Sequence, residues 1–125
     1  MASKLLVIVA LVTFCVVNFG NAAHSIDQCA DPSLATTLIC SKDIKESGKF
    51  LKVLEEVIDC PESGVINHKI TCIKVTNKLG EDGGDAEIVS GGVDYYNVEI
   101  SLISQRSKGL DYHIEIYTNN KTSLN

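Results

Sequence analysis

Four cysteines beyond residue 22 are the residues whose type and spacing most clearly indicate chemistry: Cys29, Cys40, Cys60 and Cys72. An even number of cysteines in a small chain that begins with a signal-peptide pattern, at residues 1–22, predicts disulfide bonds, here two. Three pairings are possible from the sequence, and closure between nearest neighbours favours Cys29–Cys40 and Cys60–Cys72. None of the spacings matches the close Cys or His pairs of a zinc site, so we expect no metal at these residues.

Two groups of acidic residues and histidine could bind a metal or transfer protons. The loop at residues 81–85, EDGGD, lacks the ligand spacing and the closing Glu of a calcium-binding EF-hand loop, so a solvated turn is favoured. Asp111, His113 and Glu115 alternate along one strand and therefore share a face. They could hold a metal or relay a proton. The solvent-exposed face of an amphipathic strand gives the same pattern, and we favour this interpretation.

No nucleophile stands in a recognisable catalytic setting. The segment at residues 90–92, Ser-Gly-Gly, lacks the Gly-x-Ser-x-Gly frame of a nucleophile elbow. Its glycines lead into a strand rather than into a phosphate-binding helix. The three histidines lie far apart in the sequence. We therefore predict a protein that is not an enzyme and that has no catalytic residues, metal or cofactor.

Tyrosines and basic residues of the last third could form an interaction surface. Tyr95 and Tyr96 are adjacent, so they point to opposite faces of a strand and at least one of them is exposed. Exposed tyrosines are enriched at protein interfaces, and Arg106 and Lys108 could contact an acidic partner. Ordinary cross-strand packing and solvated loop charge explain the same residues more simply. The surface is therefore a hypothesis.

The last third also carries the clearest structural pattern in the chain. Apolar residues alternate with polar ones over residues 96–102 and again over residues 110–117, as expected of two strands that each bury one face. The polar break between them contains Gly109 and predicts an antiparallel hairpin. The residues expected to share a common core are Val98, Ile100, Leu102, Ile114 and Ile116.

The rest of the chain predicts further short strands. Residues 65–77 and 86–90 have strand patterns, whereas residues 50–58 fit helical spacing and also a rough alternation. The poorly decipherable region 24–47 contains a turn or helix-start signal at residues 31–33, Asp-Pro-Ser. We predict a mainly β protein: a small antiparallel sheet or sandwich forming a single domain, with at most one short helix near the start of the mature chain.

Residues 1–22 have the pattern of a secretory signal peptide. Lys4 precedes an apolar run, and the small residues Gly20 and Ala22 suit cleavage. The run is too short for a bilayer span, so we expect cleavage near Ala22, secretion, and no membrane attachment afterwards. Residues 23–118 would form one secreted domain and residues 119–125 a polar tail. In that tail Asn120 begins a glycosylation sequon and is a candidate glycosylation site.

The charge of the chain argues against direct contact with nucleic acid. Eleven basic residues stand against sixteen acidic ones, a net charge of −5, and loss of Lys4 with the leader makes it −6. The basic residues are scattered along the sequence. A protein that binds duplex DNA needs a positive patch to neutralise phosphates. We expect a protein partner and no direct nucleic-acid binding.

The alternating C-terminal segment resembles the insect multiprotein bridging factor type-two family. The resemblance rests on the glycine pair at residues 91–92, SQR at 104–106, IEIY at 114–117, and KITCIKV at 69–75 upstream. It covers roughly residues 39–117. It implies that residues 50–59 enter the turn at Cys60 as a strand rather than as a helix. Asp94 stands where the family pattern has a further glycine.

Two functions follow from these observations. The signal peptide, the cysteine count, the acidity and the sequon favour a small secreted, non-enzymatic protein that acts as a binding module. The resemblance to an insect family implies that the extracellular fluid would be one such as saliva, venom or haemolymph. The family resemblance implies instead a transcription coactivator that bridges a DNA-bound regulator to the basal transcription machinery. The nucleus is reducing, which disfavours paired cysteines there. We therefore expect the secreted module.

Overall fold

The alternating segments of the sequence fold into strands that are arranged as two antiparallel sheets. The computed structural model describes residues 24–120, so the predicted signal peptide and the polar tail beyond Asn120 lie outside the described residues. The strands are β1 (Ile26–Gln28), β2 (Thr37–Glu46), β3 (Glu55–Cys60), β4 (Ile70–Asn77), β5 (Asp85–Gly91), β6 (Val98–Ile103) and β7 (Leu110–Thr118). The protein is mainly β, as the sequence predicts.

Each sheet is organised around one of the last two strands. The four-stranded sheet has the order β1-β4-β7-β2 and the three-stranded sheet the order β3-β6-β5. All neighbouring strands are antiparallel. β6 and β7 therefore lie in different sheets, and the predicted hairpin between them is wrong. Residues 104–109 carry the chain from one sheet to the other, because β6 pairs with β3 and β5 while β7 pairs with β2 and β4.

The inner faces of the two sheets form one apolar core. Along β7 every second residue is buried and the residues between are only partly exposed, as the alternation predicts. The five residues predicted to share a core are all buried: Val98, Ile100, Leu102, Ile114 and Ile116. Full burial of an aliphatic side chain contributes about 1.5–3 kcal/mol. The alternation of the last third is therefore a main source of stability.

Several strand predictions need their boundaries corrected. β3 begins at Glu55, so the favoured strand is confirmed there, whereas residues 50–54 form a loop and the helical alternative is wrong. β4 begins at Ile70 rather than at Val65. The strand predicted at residues 86–90 is confirmed and extends by one residue at each end. β1 and the ten-residue β2 lie in the region that the sequence pattern did not resolve.

The helix-start signal near the beginning of the described residues forms a single 3-10 turn at Pro32–Leu34. The carboxylate of Asp31 caps the turn, because its Oδ1 accepts hydrogen bonds from the Ser33 backbone N–H (3.1 Å) and from the Ser33 hydroxyl (2.6 Å). A second 3-10 turn spans Gly80–Asp82. Within residues 24–120 no helix has both the length and the apolar character needed to cross a membrane.

Asp94 occupies a turn position that favours glycine, since its φ is 74°. Its backbone N–H donates to the Ile70 carbonyl (2.9 Å), which fixes the turn. We expect Asp94→Gly to leave the free energy of unfolding unchanged or to raise it by up to about 1 kcal/mol. Asp94→Val should lower it by about 1–2 kcal/mol, because a β-branched residue is strained at this φ.

Denaturant unfolding of the two Asp94 variants measures this difference. Asp59→Val is a suitable control, because Asp59 is an exposed residue within β3, where an extended backbone accommodates valine. A similar loss of stability in Asp94→Val and Asp59→Val would show that the positive φ is not the cause.

Candidate interaction surfaces

Two disulfides join strands that are neighbours in space. Cys29–Cys72 links the end of β1 to β4 within the four-stranded sheet, with 4.4 Å between the Cα atoms. Cys40–Cys60 links β2 to β3 and so joins the two sheets, with 6.4 Å between the Cα atoms. The predicted disulfide bonds are present, but the favoured pairing of sequence neighbours, Cys29–Cys40 and Cys60–Cys72, is wrong. The pairing follows the strand order, which the sequence did not disclose.

The four residues predicted to form one interaction surface lie at opposite ends of β6. Tyr95 and Tyr96 are exposed in the turn before β6, whereas Arg106 and Lys108 lie in the turn after it. A strand of six residues separates its two ends by roughly 17–20 Å. The structure therefore divides the predicted surface into a tyrosine end and a basic end.

A loop between β2 and β3, residues 49–53, exposes three apolar side chains at the basic end. Phe50 is 85% exposed, Leu51 61% and Val53 51%. The loop lies against the turn after β6, because the Leu51 N–H donates to the Ser107 hydroxyl (2.7 Å). The sequence does not reveal this surface, because the spacing of apolar residues over positions 50–58 is that of a buried face.

A chain of polar side chains runs along the outer face of β7. His113 Nδ1 lies 2.7 Å from Asp43 Oδ1 on β2, and His113 Nε2 lies 3.8 Å from Glu115 Oε1. The Tyr117 hydroxyl donates to Glu115 Oε2 (2.9 Å), and this hydrogen bond raises the pKa of Tyr117. In the part of the chain that the structure describes, no group of three or more His, Cys, Asp or Glu could hold a metal ion. Cross-strand contact explains these residues.

The contact between Asp43 and His113 affects the pKa of Asp43. The hydrogen bond from His113 lowers the pKa of Asp43, and the charges of His113 and Lys78 lower it further. Asp43 therefore stabilises the fold above the ordinary carboxyl pKa, and this contribution is lost as the pH falls through its lower folded value. In His113→Gln the pKa of Asp43 should rise towards its ordinary value.

Carboxyl-carbon NMR titration of Asp43 measures this pKa directly. Lys78→Gln is the control, since its Nζ is 3.8 Å from Asp43 Oδ1 and its influence is smaller. An Asp43 pKa that moves more in Lys78→Gln than in His113→Gln would contradict the assignment.

The outer face of the three-stranded sheet combines carboxylates with exposed apolar side chains. Its cross-strand rows, from β3 through β6 to β5, are Glu55–Ile103–Asp85, Val57–Ser101–Glu87 and Asp59–Glu99–Ser90. Five of these nine residues are carboxylates and none is basic. Val57 and Ile103 are about half exposed beside the central Ser101. We call these nine residues the acidic face.

The acidic face cannot be recognised in the sequence, because it depends on strand register. The alternation of β5 and β6 was visible, but only pairing with β3 brings Val57 opposite Ser101 and Glu55 opposite Ile103. A one-residue change of register would turn each of these side chains to the other side of the sheet. The sequence did not supply that register.

The acidic loop at residues 81–85 packs against the turn after β6. Gln105 Nε2 donates to the carbonyls of Glu81 (2.8 Å) and Gly83 (2.7 Å). Asp82 Oδ1 lies 3.7 Å from Lys108 Nζ, and Asp85 Oδ1 lies 3.7 Å from His24 Nδ1. The two aspartates therefore have different partners, as expected of a turn rather than of a shared calcium site.

Asn120, the candidate glycosylation site, is exposed at the end of the described residues. Its backbone N–H donates to Thr36 Oγ1 (3.1 Å), and its side-chain Oδ1 accepts from Thr118 Oγ1 (2.9 Å). The other sequon residues, Lys121 and Thr122, lie outside the described residues. Glycosylation of Asn120 stays a prediction.

The fold and the linked cysteines define a small, disulfide-linked antiparallel β-sandwich. A family model described as transcription activator MBF2 matches residues 35–118, which include β2 to β7. The chain belongs to this family, and the resemblance seen in the C-terminal segment is confirmed. Searches of the curated proteins and of the solved structures gave no significant match.

Proposed function

We propose that this protein is a secreted, non-enzymatic binding module that contacts a protein partner through the acidic face. The observation that carries the proposal is the composition of this face, in which five carboxylates lie around Val57, Ile103 and the central Ser101. Protein interfaces commonly combine an apolar centre with a polar rim. A face with five carboxylates and no cation favours a partner with a basic surface.

The two disulfides support an extracellular location. Disulfides persist in oxidising compartments and are rare in the reducing cytosol and nucleus. The signal-peptide pattern of residues 1–22 and the sequon at Asn120 favour the same location. Location and binding face are separate parts of the proposal and need separate tests.

Family membership favours a second function, transcription activation. The family is described by that activity, and an acidic face could contact a basic protein of the transcription machinery without contact with DNA. The cysteines argue against this function, because a reducing nucleus would not maintain Cys29–Cys72 and Cys40–Cys60.

Expression of the full-length chain in insect cells distinguishes the two functions. For a secreted module we expect protein in the medium that starts near Ala23 and that has no alkylatable thiol before reduction. Intact mass, measured before and after reduction with alkylation, gives both the N-terminal residue and the number of free thiols. An intracellular, uncleaved chain with four or five alkylatable cysteines would contradict secretion and favour transcription activation.

The acidic face is tested by placing a cation in its middle row, beside Ser101. Val57→Lys should weaken capture of a basic protein partner at least about tenfold, because the added cation repels that partner. Val65→Lys is the matched control, since Val65 is 86% exposed in the turn after β3, outside the acidic face. Capture that is equally strong with both variants would contradict a role for the acidic face.

A further inference from the structure

In contrast to the expectation of no membrane attachment, we propose that the basic end of the protein docks onto an anionic lipid surface by inserting Phe50 and Leu51. The 49–53 loop and the turn after β6 form this end, and neither belongs to the acidic face. Phe50 is 85% exposed and Leu51 61% exposed. Side chains of this kind at the tip of a loop can enter the boundary between lipid head groups and acyl chains.

The charges around these apolar side chains have the sign that an anionic surface attracts. The loop supplies Lys49 and Lys52, and the neighbouring turn supplies Arg106 and Lys108. Residues 47–54 and 104–110, which form the two segments, contain these four cations and no acidic residue. Asp82, in the acidic loop that packs against the turn after β6, is 3.7 Å from Lys108, and Glu46, Glu55 and Asp111 lie on the adjoining strands. The two segments that form the basic end therefore carry cations only, and their acidic neighbours lie on other segments.

The structure brings together cations that the sequence scatters. The Ser107 N–H donates to the Lys52 carbonyl (2.8 Å), and Gly48 lies so close to the Ser107 carbonyl that a Cβ there would clash with it. These contacts place Lys49 and Lys52 beside Arg106 and Lys108, although 49 residues separate the two segments in the chain. A cation near an anionic membrane contributes roughly fivefold to the affinity.

Hydrogen bonds hold the loop with its apolar side chains outward. The Leu54 N–H donates to the Ser104 hydroxyl (2.6 Å), and the Ser104 N–H donates to the Leu54 carbonyl (2.8 Å). Leu51 has a φ of 60°, a conformation that is strained for a leucine and is maintained by these surroundings. A loop that is already ordered loses less conformational entropy on docking.

A lipid surface fits this end better than a protein partner does. A protein would need a pocket shaped to receive the protruding Phe50, whereas a bilayer receives an apolar tip without a preformed pocket. The flanking lysines can place their ammonium groups among the head groups while their aliphatic stems remain in apolar surroundings. The combination of apolar tip and surrounding cations therefore points to a membrane that contains anionic lipid.

A single tryptophan at position 50 tests the proposal. The chain has no tryptophan, so Phe50→Trp provides a fluorescence signal from this position alone. We expect a blue shift of its emission, and quenching by brominated lipid, when vesicles with about a third phosphatidylserine are added. Vesicles of phosphatidylcholine alone should give little change. Because the signal reports on position 50 itself, the test holds whether or not residues 1–22 remain on the purified protein.

Matched variants show whether the tip and its cations are responsible. Val65→Trp is the control, because Val65 is 86% exposed but lies beyond the far end of β3. In sedimentation with the same vesicles, Lys49→Gln with Lys52→Gln should weaken binding roughly twentyfold, and Phe50→Ser roughly tenfold.

Three results with vesicles would overturn the proposal. They are an unchanged tryptophan emission in the Phe50→Trp variant, an equal blue shift in the Val65→Trp variant, and binding that is independent of phosphatidylserine. A blue shift of the Phe50→Trp variant with an acidic protein but not with vesicles would also overturn it, and would assign the basic end to a protein partner.

Discussion

Replacing Cys29 and Cys72 together by alanine is expected to lower the free energy of unfolding by about 4 kcal/mol. The pair is separated by 43 residues, and the constraint that a disulfide places on the unfolded chain grows with the loop that it closes. The Cys40–Cys60 pair is separated by 20 residues, so its removal should cost about 3 kcal/mol. Either loss is large beside the roughly 5–15 kcal/mol that stabilises a typical domain.

Denaturant unfolding of the two double variants measures these losses, and each variant retains the other disulfide as an internal control. Peptide mapping of the unreduced wild-type protein should join Cys29 to Cys72 and Cys40 to Cys60. A mapped Cys29–Cys40 peptide would contradict the pairing. A loss of less than about 1 kcal/mol for either pair would contradict the argument from loop length.

Tyr112→Phe is expected to raise the free energy of unfolding by about 1 kcal/mol at neutral pH. Tyr112 is fully buried in the core, and within residues 24–120 its hydroxyl has no hydrogen-bond partner. Burial of a polar group without a partner is unfavourable. Phenylalanine keeps the ring and removes the unpaired hydroxyl.

The same substitution should change the response to alkali. Burial, together with the charge of Asp85, raises the pKa of Tyr112 to about 12. Because this folded pKa lies above the unfolded one, the stability of the protein is unaffected by Tyr112 ionisation below about pH 10. As the pH rises through 12, ionisation of Tyr112 lowers the free energy of unfolding by roughly 3 kcal/mol. Tyr112→Phe should be free of that loss. Tyr95→Phe is the control, because Tyr95 is exposed in the turn before β6.

Unfolding curves at a series of pH values between neutral and strongly alkaline separate the two tyrosines. The difference in free energy of unfolding between Tyr112→Phe and the wild type should increase as the pH rises. A constant advantage would mean that Tyr112 is not the group responsible, and a loss of stability at neutral pH would show that its hydroxyl is satisfied.

The core could be predicted from the sequence because it depends on local alternation. A period of two over residues 110–117 fixes which side chains β7 buries, whatever strand lies beside it. The same holds for Val98, Ile100 and Leu102 on β6. Membership of the family could also be predicted, because it rests on short segments that are contiguous in the chain.

Strand partners and surfaces could not be predicted, because they depend on contacts that are distant in sequence. The break at residues 104–109 suits a hairpin as well as it suits a crossing between sheets, and only the partners of β6 and β7 decide between them. The disulfide pairing followed from the same strand order. Phe50 had the spacing of a buried residue, but hydrogen bonds to Ser104 and Ser107 hold its loop outside the core.

Because β7 lies between β2 and β4, the strands of this sheet cannot assemble in the order in which they are synthesised. A ribosome releases β2 and β4 before their shared partner exists, so the four-stranded sheet closes only after the C-terminal strand has emerged. In a chain that is secreted as proposed, Cys29 and Cys40 are the first of the four cysteines to enter an oxidising lumen, and they are not partners in the folded protein. Any bond that forms early between them has to be exchanged before the sheet can close.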